Sequence, residues 1–373
     1  MAPLRIGINA LYLIPGGVGG TEIYLRNLLP ALAELDAVNQ YVVFTNRETP
    51  TDLVPSQPNF RPAPQPVPGS FRPARILWEQ SALPLAAAAR YRLDVLFNPG
   101  FTAPILSPCP NVTVFHDLQH KRHPEHFRGL DLPFWRFFLY ASAHRSRILL
   151  AISETTRRDL LHYYRLPEEK IRVVPLGVHP GFFELGRQRS EQPGQPPFFL
   201  CVSTLHPHKN LERLVQAYAE FRRRHPEFEL VIAGMPGFHS DAIQALIARL
   251  DLGGSVRLTG WVSREELRQL YLQAFAFIYP STFEGFGLPV LEALAVGLPT
   301  ACSSIEPLSD LAGTASLLFD PLDQSALLNA MLRLASDQEL RTWLAAEGPR
   351  QASLFSWTKT AQMTLEAIQA AAG

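Results

Sequence analysis

Short apolar runs alternate with helix-like segments along almost the whole chain, and this alternation restricts the fold more than any other feature. Runs at 4–9, 41–45, 95–98, 112–116, 148–152 and 171–175 fit buried strands, with helices starting near Glu22, Pro133 and Glu154. The pattern begins again at 198–203 and continues through 230–234, 256–259, 275–279, 300–303 and 316–319, with helices from Asn210, Asp241, Arg264, Leu288 and Gln324. Strands separated by helices run parallel, because each crossover carries the chain back over the face of the sheet. The sequence therefore predicts an α/β fold of two doubly wound, Rossmann-like domains. Between them, 186–197 is rich in Arg, Gln, Gly and Pro and reads as a linker, which gives domains at 1–185 and 198–355. A last amphipathic helix at 356–373 carries Trp357, Ala361, Leu365 and Ile368 near one face. Domains of this kind bind ligands outside the carboxyl ends of their strands, so a central cleft is the expected site and the linker its hinge.

Prolines at 50, 55, 58, 62, 64, 66, 68 and 73 exclude a regular helix or a central strand there and predict a long surface excursion. With 373 residues, the chain is long enough for two cores. Its 34 Lys and Arg balance 34 Asp and Glu, so no global field favours nucleic acid or an anionic membrane. Cys109, Cys201 and Cys302 are an odd set without metal-ligand spacing and fit a reducing, cytoplasmic setting. No run approaches the length of a membrane span, and the first residues lack a cleavage-site pattern. Arg128, Arg136, Arg145 and Arg147 interleave with Phe127, Phe134, Trp135, Phe137, Phe138 and Tyr140, a pattern that fits either a half-buried helix or peripheral contact with the inner face of a membrane.

The most informative chemistry lies at Glu284-Gly285-Phe286-Gly287-Leu288-Pro289-Val290-Leu291-Glu292. The apolar run before it reads as a strand, and Pro289 suits an early helical position, so a helix starts near Leu288. Free amides at that start attract a diphosphate, and the glycines let a ligand approach the main chain. Glu284 and Glu292 flank the anion and, as ionised acceptors, suit sugar and ribose hydroxyls. A plainer reading makes Glu292 a first-turn acid complementing the helix dipole and Glu284 a solvated loop acid.

Lys209, in His206-Pro207-His208-Lys209-Asn210, follows a strand and opens a helix, where it is either solvated or a phosphate partner. The glycines of Gly16-Gly17-Val18-Gly19-Gly20-Thr21-Glu22 make a strand-to-helix turn that either binds nothing or brings amides to a phosphate or sugar. A dinucleotide fingerprint would need a third glycine where Glu22 stands and an acid after the next strand, which ends at Thr45-Asn46. His116 ends an apolar strand, as a structural hydrogen-bonding group or a ligand contact.

Taken together, the Glu284 to Glu292 stretch resembles the Glu-x7-Glu signature of retaining glycosyltransferases of the GT4 family. The resemblance covers nearly the full length, including Ile152-Ser153-Glu154, Val174-Pro175-Leu176-Gly177-Val178 and Phe355-Ser356-Trp357. It implies the GT-B architecture, with the last helix crossing back to the first domain. It also implies a hexosyl transfer with retention from a nucleoside-diphosphate sugar, GDP- or UDP-linked, to a sugar or lipid-linked saccharide. Glu284, His116 and Lys209 would carry catalysis. Gly17, Gly19, Gly20, Lys209, Gly285, Phe286, Gly287, Leu288 and Glu292 would hold the donor.

The family usually has an arginine where this chain has Thr204, and its later acid is Asp310. No Asp-x-Asp triplet ends a strand, so a metal-independent reaction with no further cofactor is expected, Lys209 and amides replacing the cation. Trp78-Glu79-Gln80 and the segment around Lys209 look most similar to members that build surface polysaccharides, many of which use GDP-mannose. Two other readings are a related nucleotide-sugar epimerase or hydrolase, and a sugar-nucleotide sensor without turnover.

Overall fold

A computed structural model describes residues 2–16, 19–127, 131–189 and 196–373. The chain divides into two compact units, one made of Met1–Gly177 with Ser356–Gly373, the other of Val178–Phe355.

In the first unit, β1 (Arg5–Asn9), β2 (Gln40–Thr45), β3 (Phe60–Pro64), β4 (Val95–Asn98), β5 (Asn111–Phe115), β6 (Ile148–Ala151) and β7 (Ile171–Val173) form one parallel sheet, in the order β3-β2-β1-β4-β5-β6-β7. Strand order reverses between β1 and β4, where Ile6 pairs with Val95 and Ile8 with Phe97. Ile6, Ile8, Val95, Leu96, Phe97, Val112 and Val114 are fully buried, as expected for strands covered on both faces.

The proline-rich region departs from expectation, since β3 runs through it and carries Pro62 and Pro64. It is the edge strand, so those residues lack an N–H only where no further strand needs one. Phe60, Ala63 and Val67 are buried, so the segment is part of the core layer and not a surface excursion.

The second unit repeats the topology with β8 (Phe198–Val202), β9 (Glu229–Ala233), β10 (Val256–Gly260), β11 (Ala276–Tyr279), β12 (Thr300–Ser303) and β13 (Leu317–Phe319), in the order β10-β9-β8-β11-β12-β13. Here the switch lies between β8 and β11, with Phe199 opposite Ala276 and Leu200 opposite Phe277.

The division between units falls at Gly177 and not within 186–197. The helix Gly181–Gln188 packs on the helices Arg264–Gln273 and Leu288–Ala295 of the second unit and buries Leu185 there, so the polar stretch follows an element already committed to that unit. Residues 190–195 of the expected linker lie outside the described residues.

The final helix, Trp357–Ala372, packs on the helix Gly20–Leu35 of the first unit and buries Trp357, Ala361, Ala367 and Ile368. Its start is fitted against Gly177, where an added Cβ would lie 2.1 Å from the Trp357 amide nitrogen and 2.4 Å from the Ser356 carbonyl carbon. Both neighbours are backbone and cannot yield by a side-chain rotation. Gly177→Ala is expected to lower the stability of the first unit by about 1–3 kcal/mol, the usual range for overpacking, read as a drop in the melting temperature of full-length protein.

Candidate functional site

Because β8 and β11 are neighbours at the switch point, the loops leaving their carboxyl ends start side by side. The loop after β8 carries Lys209 and the loop after β11 carries Glu284, which is why residues 75 apart in sequence meet. The Lys209 ammonium donates to Glu284 Oε1 at 2.6 Å and to the Tyr279 hydroxyl at 3.2 Å, and lies 5.5 Å from the centroid of the Tyr279 ring. The two charged side chains are 13% and 10% exposed, enough to leave a face of the pair open to a ligand.

The two loops are also latched together. The carbonyl of His208 accepts from the Thr282 amide at 2.8 Å, from Ser281 Oγ at 3.0 Å and from Thr282 Oγ1 at 3.1 Å. Asn210 donates through Nδ2 to the carbonyls of Pro280 and Pro321. Lys209 does not open the next helix as expected. It ends a 3-10 turn, Pro207–Lys209, and the left-handed Asn210 separates it from the helix Leu211–Arg222. The turn places its ammonium beside β11.

From Glu284 the loop runs through half-exposed Gly285, buried Phe286 and Gly287 into the helix Leu288–Ala295. Gly287 has φ of 110°, and a Cβ there would meet Leu308 Cδ2 at 2.4 Å, so only glycine fits. Pro289 has no N–H, and the amides of Val290 and Leu291 are taken by the Gly287 carbonyl. Among the described residues, the amides of Gly285, Phe286, Gly287 and Leu288 have no protein acceptor. Unbonded N–H groups at a helix start are suited to an anion.

Glu292 lies in the second turn of this helix rather than its first, so the dipole-capping reading does not apply to it. Its Oε2 accepts from the Tyr271 hydroxyl at 3.0 Å. Although part of the residue reaches solvent, burial of the carboxyl pushes it up from 4.5 to about 7, against the opposing pull of Tyr271 and Arg264. Near neutral pH the carboxyl is therefore partly protonated and can donate as well as accept.

The first unit holds the remaining sequence candidates. His116 follows β5, is buried, and packs edge-on to Tyr24 with ring centroids 5.1 Å apart. Its Nε2 donates to the Pro99 carbonyl at 2.8 Å, the structural role weighed in the sequence. Burial lowers its pKa to about 4, so the ring is neutral at physiological pH.

Gly19 caps the helix Gly20–Leu35 with φ of 56°, and nothing lies within 4 Å of a Cβ added at Gly19 or Gly20. Gly17 lies outside the described residues. The Gly16 amide donates to Glu22 Oε2 at 2.8 Å, and Arg26 holds the other oxygen at 2.7 Å. An internal carboxylate therefore already takes one amide of this turn.

Sequence reasoning missed Tyr271 and Tyr279, which hold Glu292 and Lys209. Both read as ordinary core aromatics, and their only signal is a hydroxyl on an otherwise apolar stretch. Among the described residues, no group of three or more His, Cys, Asp or Glu is placed to hold a metal ion.

The raised pKa of Glu292 has a thermodynamic consequence. The folded state keeps this proton between pH 4.5 and about 7 while the unfolded state releases it, so stability falls as pH rises through that window. Glu292→Gln is expected to flatten this part of the curve. Melting temperatures of the two proteins across that range check it, and parallel curves would refute a buried titrating acid.

Comparison with known proteins gives the arrangement its context. The sequence profile of Glycosyltransferase Family 4 matches residues 18–182, and that of Glycosyl transferases group 1 matches residues 182–351. The chain is 31% identical over 268 residues to O-antigen chain mannosyltransferase B of Escherichia coli, covering 69% of this chain and 70% of that protein. It is 27% identical over 278 residues to the serotype-specific mannosyltransferase WbdA of Escherichia coli, but spans only 33% of that longer protein.

In structure it is similar to sucrose-phosphate synthase from Thermosynechococcus elongatus, with a TM-score of 0.77, 21% identity and 98% of both chains covered. It is also similar to Anabaena Alr3699/HepE in complex with UDP-glucose, with a TM-score of 0.76, 17% identity and coverage of 98% and 100%. Two parallel-sheet units with these matches establish that the chain belongs to the GT4 family of GT-B glycosyltransferases.

Proposed function

We propose that the protein moves a hexosyl group, mannosyl in particular, from a nucleoside diphosphate to a hydroxyl of a saccharide acceptor during polysaccharide assembly. The reaction proceeds with retention and without a metal ion. The observation that carries this reading is the Lys209–Glu284 pair, a cation and an anion at one point beside four unbonded amides. A sugar diphosphate offers the matching groups, phosphate oxygens next to sugar hydroxyls. The names of the E. coli relatives support mannose and polysaccharide, and the GDP-linked donor follows from that choice. A UDP-linked donor is the other option, supported by the UDP-glucose complex of the structurally similar HepE.

In this reading Lys209 and the amides of Gly285, Phe286, Gly287 and Leu288 bind the diphosphate. Glu284 accepts hydrogen bonds from the sugar, and Glu292 binds the ribose. The bond between the anomeric carbon and the phosphate oxygen breaks, the acceptor oxygen bonds to the same face of that carbon, and its proton passes to the departing phosphate. Negative charge grows on the leaving group, where an ammonium and oriented amides stabilise it. His116 contributes a neutral, fixed ring and no charge, and Gly19 and Gly20 leave room at the main chain for a sugar. The acceptor, free or lipid-linked, belongs to the same reading, as does contact with a membrane surface.

Transfer from GDP-mannose and UDP-glucose to saccharide acceptors, followed as formation of a new glycoside, tests the assignment. Absence of any glycoside, with donor bound but unchanged, would defeat it. Glu284→Gln is expected to lower kcat by about a hundredfold or more with the fold retained, and Lys209→Ala to lower kcat/KM by a similar factor. Full activity in either variant would remove that residue from the mechanism. Activity is also expected to survive exhaustive EDTA treatment, and loss restored by Mg²⁺ or Mn²⁺ would overturn the metal-free part.

A further inference from the structure

One buried cation of the first unit has no partner in the protein. Arg75, on the helix Arg72–Gln80, is 7% exposed. Its Nε is buried without an acceptor, and among the described residues no hydrogen bond or ion pair reaches either Nη group. Burial is the main influence on this guanidinium and lowers its pKa, opposed by the charge of Glu79 and reinforced by that of Arg72. A guanidinium carries five N–H donors and does not shed its proton, so leaving it dry and unpaired costs stability.

The groups that could have paired with it are engaged elsewhere. Glu79 lies one turn further along the same helix face. Its Oε2 accepts from Asn9 at 3.0 Å and from Thr102 at 2.9 Å, and its Oε1 accepts from Gln80 at 3.2 Å. Trp78 donates to Gln65 and Gln80 to the Ala103 carbonyl, so the segment Trp78-Glu79-Gln80 fixes the helix and gives Arg75 no bond. Through Asn9, which also donates to Asn98, this helix face is held at the carboxyl ends of β1 and β4. Tyr12, the other group that feels the Arg75 charge, donates to the Thr21 carbonyl at 3.1 Å. Its ring fills the space beside Gly100, where an added Cβ would lie 2.2 Å from Tyr12 Cδ1. The unpaired guanidinium therefore stands by the strand-order reversal of the first unit, the place where open parallel sheets take ligands.

We infer that Arg75 anchors an oxyanion, a phosphate ester or a carboxylate carried by the saccharide acceptor, at the switch point of the first unit. The planar fork of a guanidinium matches two oxygens of either group, and such a charge-assisted bond supplies the partner that the fold withholds. Identification of the ligand as the acceptor rests on the proposed transfer reading, which gives the donor to the second unit. The site itself does not depend on that reading.

Melting temperatures of the full chain with mannose, mannose 6-phosphate and glucuronate provide the test, in a Lys209→Ala background that removes the phosphate partner proposed for the second unit. The two anionic sugars are expected to raise the melting temperature by mass action more than mannose does. Arg75→Met should remove that difference while melting no lower than its parent, because it deletes an uncompensated buried charge. Arg75→Lys, which keeps the charge but loses the fork, should weaken binding of the anionic sugars by about tenfold or more. In transfer assays with Lys209 intact, the kcat/KM preference for an anionic over a neutral saccharide acceptor should fall by a similar factor in Arg75→Lys. An undiminished anion response in Arg75→Met would overturn the inference. A lower melting temperature of that variant, with full response in Arg75→Lys, would also overturn it and make Arg75 a structural counter-charge to Glu79. Inorganic phosphate that binds as tightly as mannose 6-phosphate would assign the site to a free anion, against the acceptor. Arg75-dependent anion binding without any transfer would count against the transfer reading alone, whereas transfer without a preference for anionic acceptors would count against this inference.

Discussion

The Lys209–Glu284 contact is the interaction on which the site depends. Two opposite charges withdrawn from most of their water are stable only while each has a partner, and a half-buried charge left alone costs several kcal/mol. Pairing them solves this for the empty protein. The same pairing suits the proposed donor, because a sugar diphosphate presents both complementary groups. Phosphate would draw the ammonium and hydroxyls the carboxylate, so binding exchanges partners instead of exposing a bare charge. Donor recognition on this view is a substitution within a network already built, which limits the reorganisation needed at the reacting bond.

That contact exists because of topology. Reversal of strand order puts β8 and β11 side by side, and the His208 carbonyl then gathers three donors from the second loop. In the first unit the equivalent switch is filled differently. Asn9 at the end of β1 donates to Asn98 at the end of β4 and to buried Glu79, which also accepts from Thr102. Polar groups at that edge satisfy one another and fix the loop whose Pro99 carbonyl holds His116, whereas the second unit pairs Lys209 with Glu284 and leaves the amides of 285–288 without a protein acceptor. The two units share a topology and differ in how the polar groups at their switch points are satisfied.

Much of this was legible in the sequence, for identifiable reasons. Strands buried on both faces are continuous apolar runs, so 198–203 and 275–279 were readable to within a residue or two of β8 and β11. Glu284, Glu292 and the glycines between them stand in one short segment with its own helix start. Strand β3 was hidden because two prolines violate the rule for central strands, and only tertiary position reveals an edge. The division at Gly177 was hidden because composition marks where a chain is polar, not which core a helix such as Gly181–Gln188 joins. Pairings between Lys209 and Glu284, or Tyr271 and Glu292, span 75 and 21 residues and carry no local pattern at all.

These long-range partners explain how two acids on a loop and a helix keep a fixed separation. Tyr271, Phe277 and Tyr279 stack in a ladder, with centroids 6.0 and 5.9 Å apart and planes inclined by 29° and 15°. One end of the ladder donates to Glu292 and the other receives Lys209, which in turn holds Glu284. Phe182 of the helix Gly181–Gln188 packs edge-on against Tyr271 from outside, at 5.7 Å. Close-packed aromatic rings do not slide past one another without opening voids, so the rungs act as a rigid spacer. The separation of the two glutamates is thus set by the sheet and its aromatic backing as much as by the seven residues between them, and the loop needs glycines only where the main chain must bend or lie open.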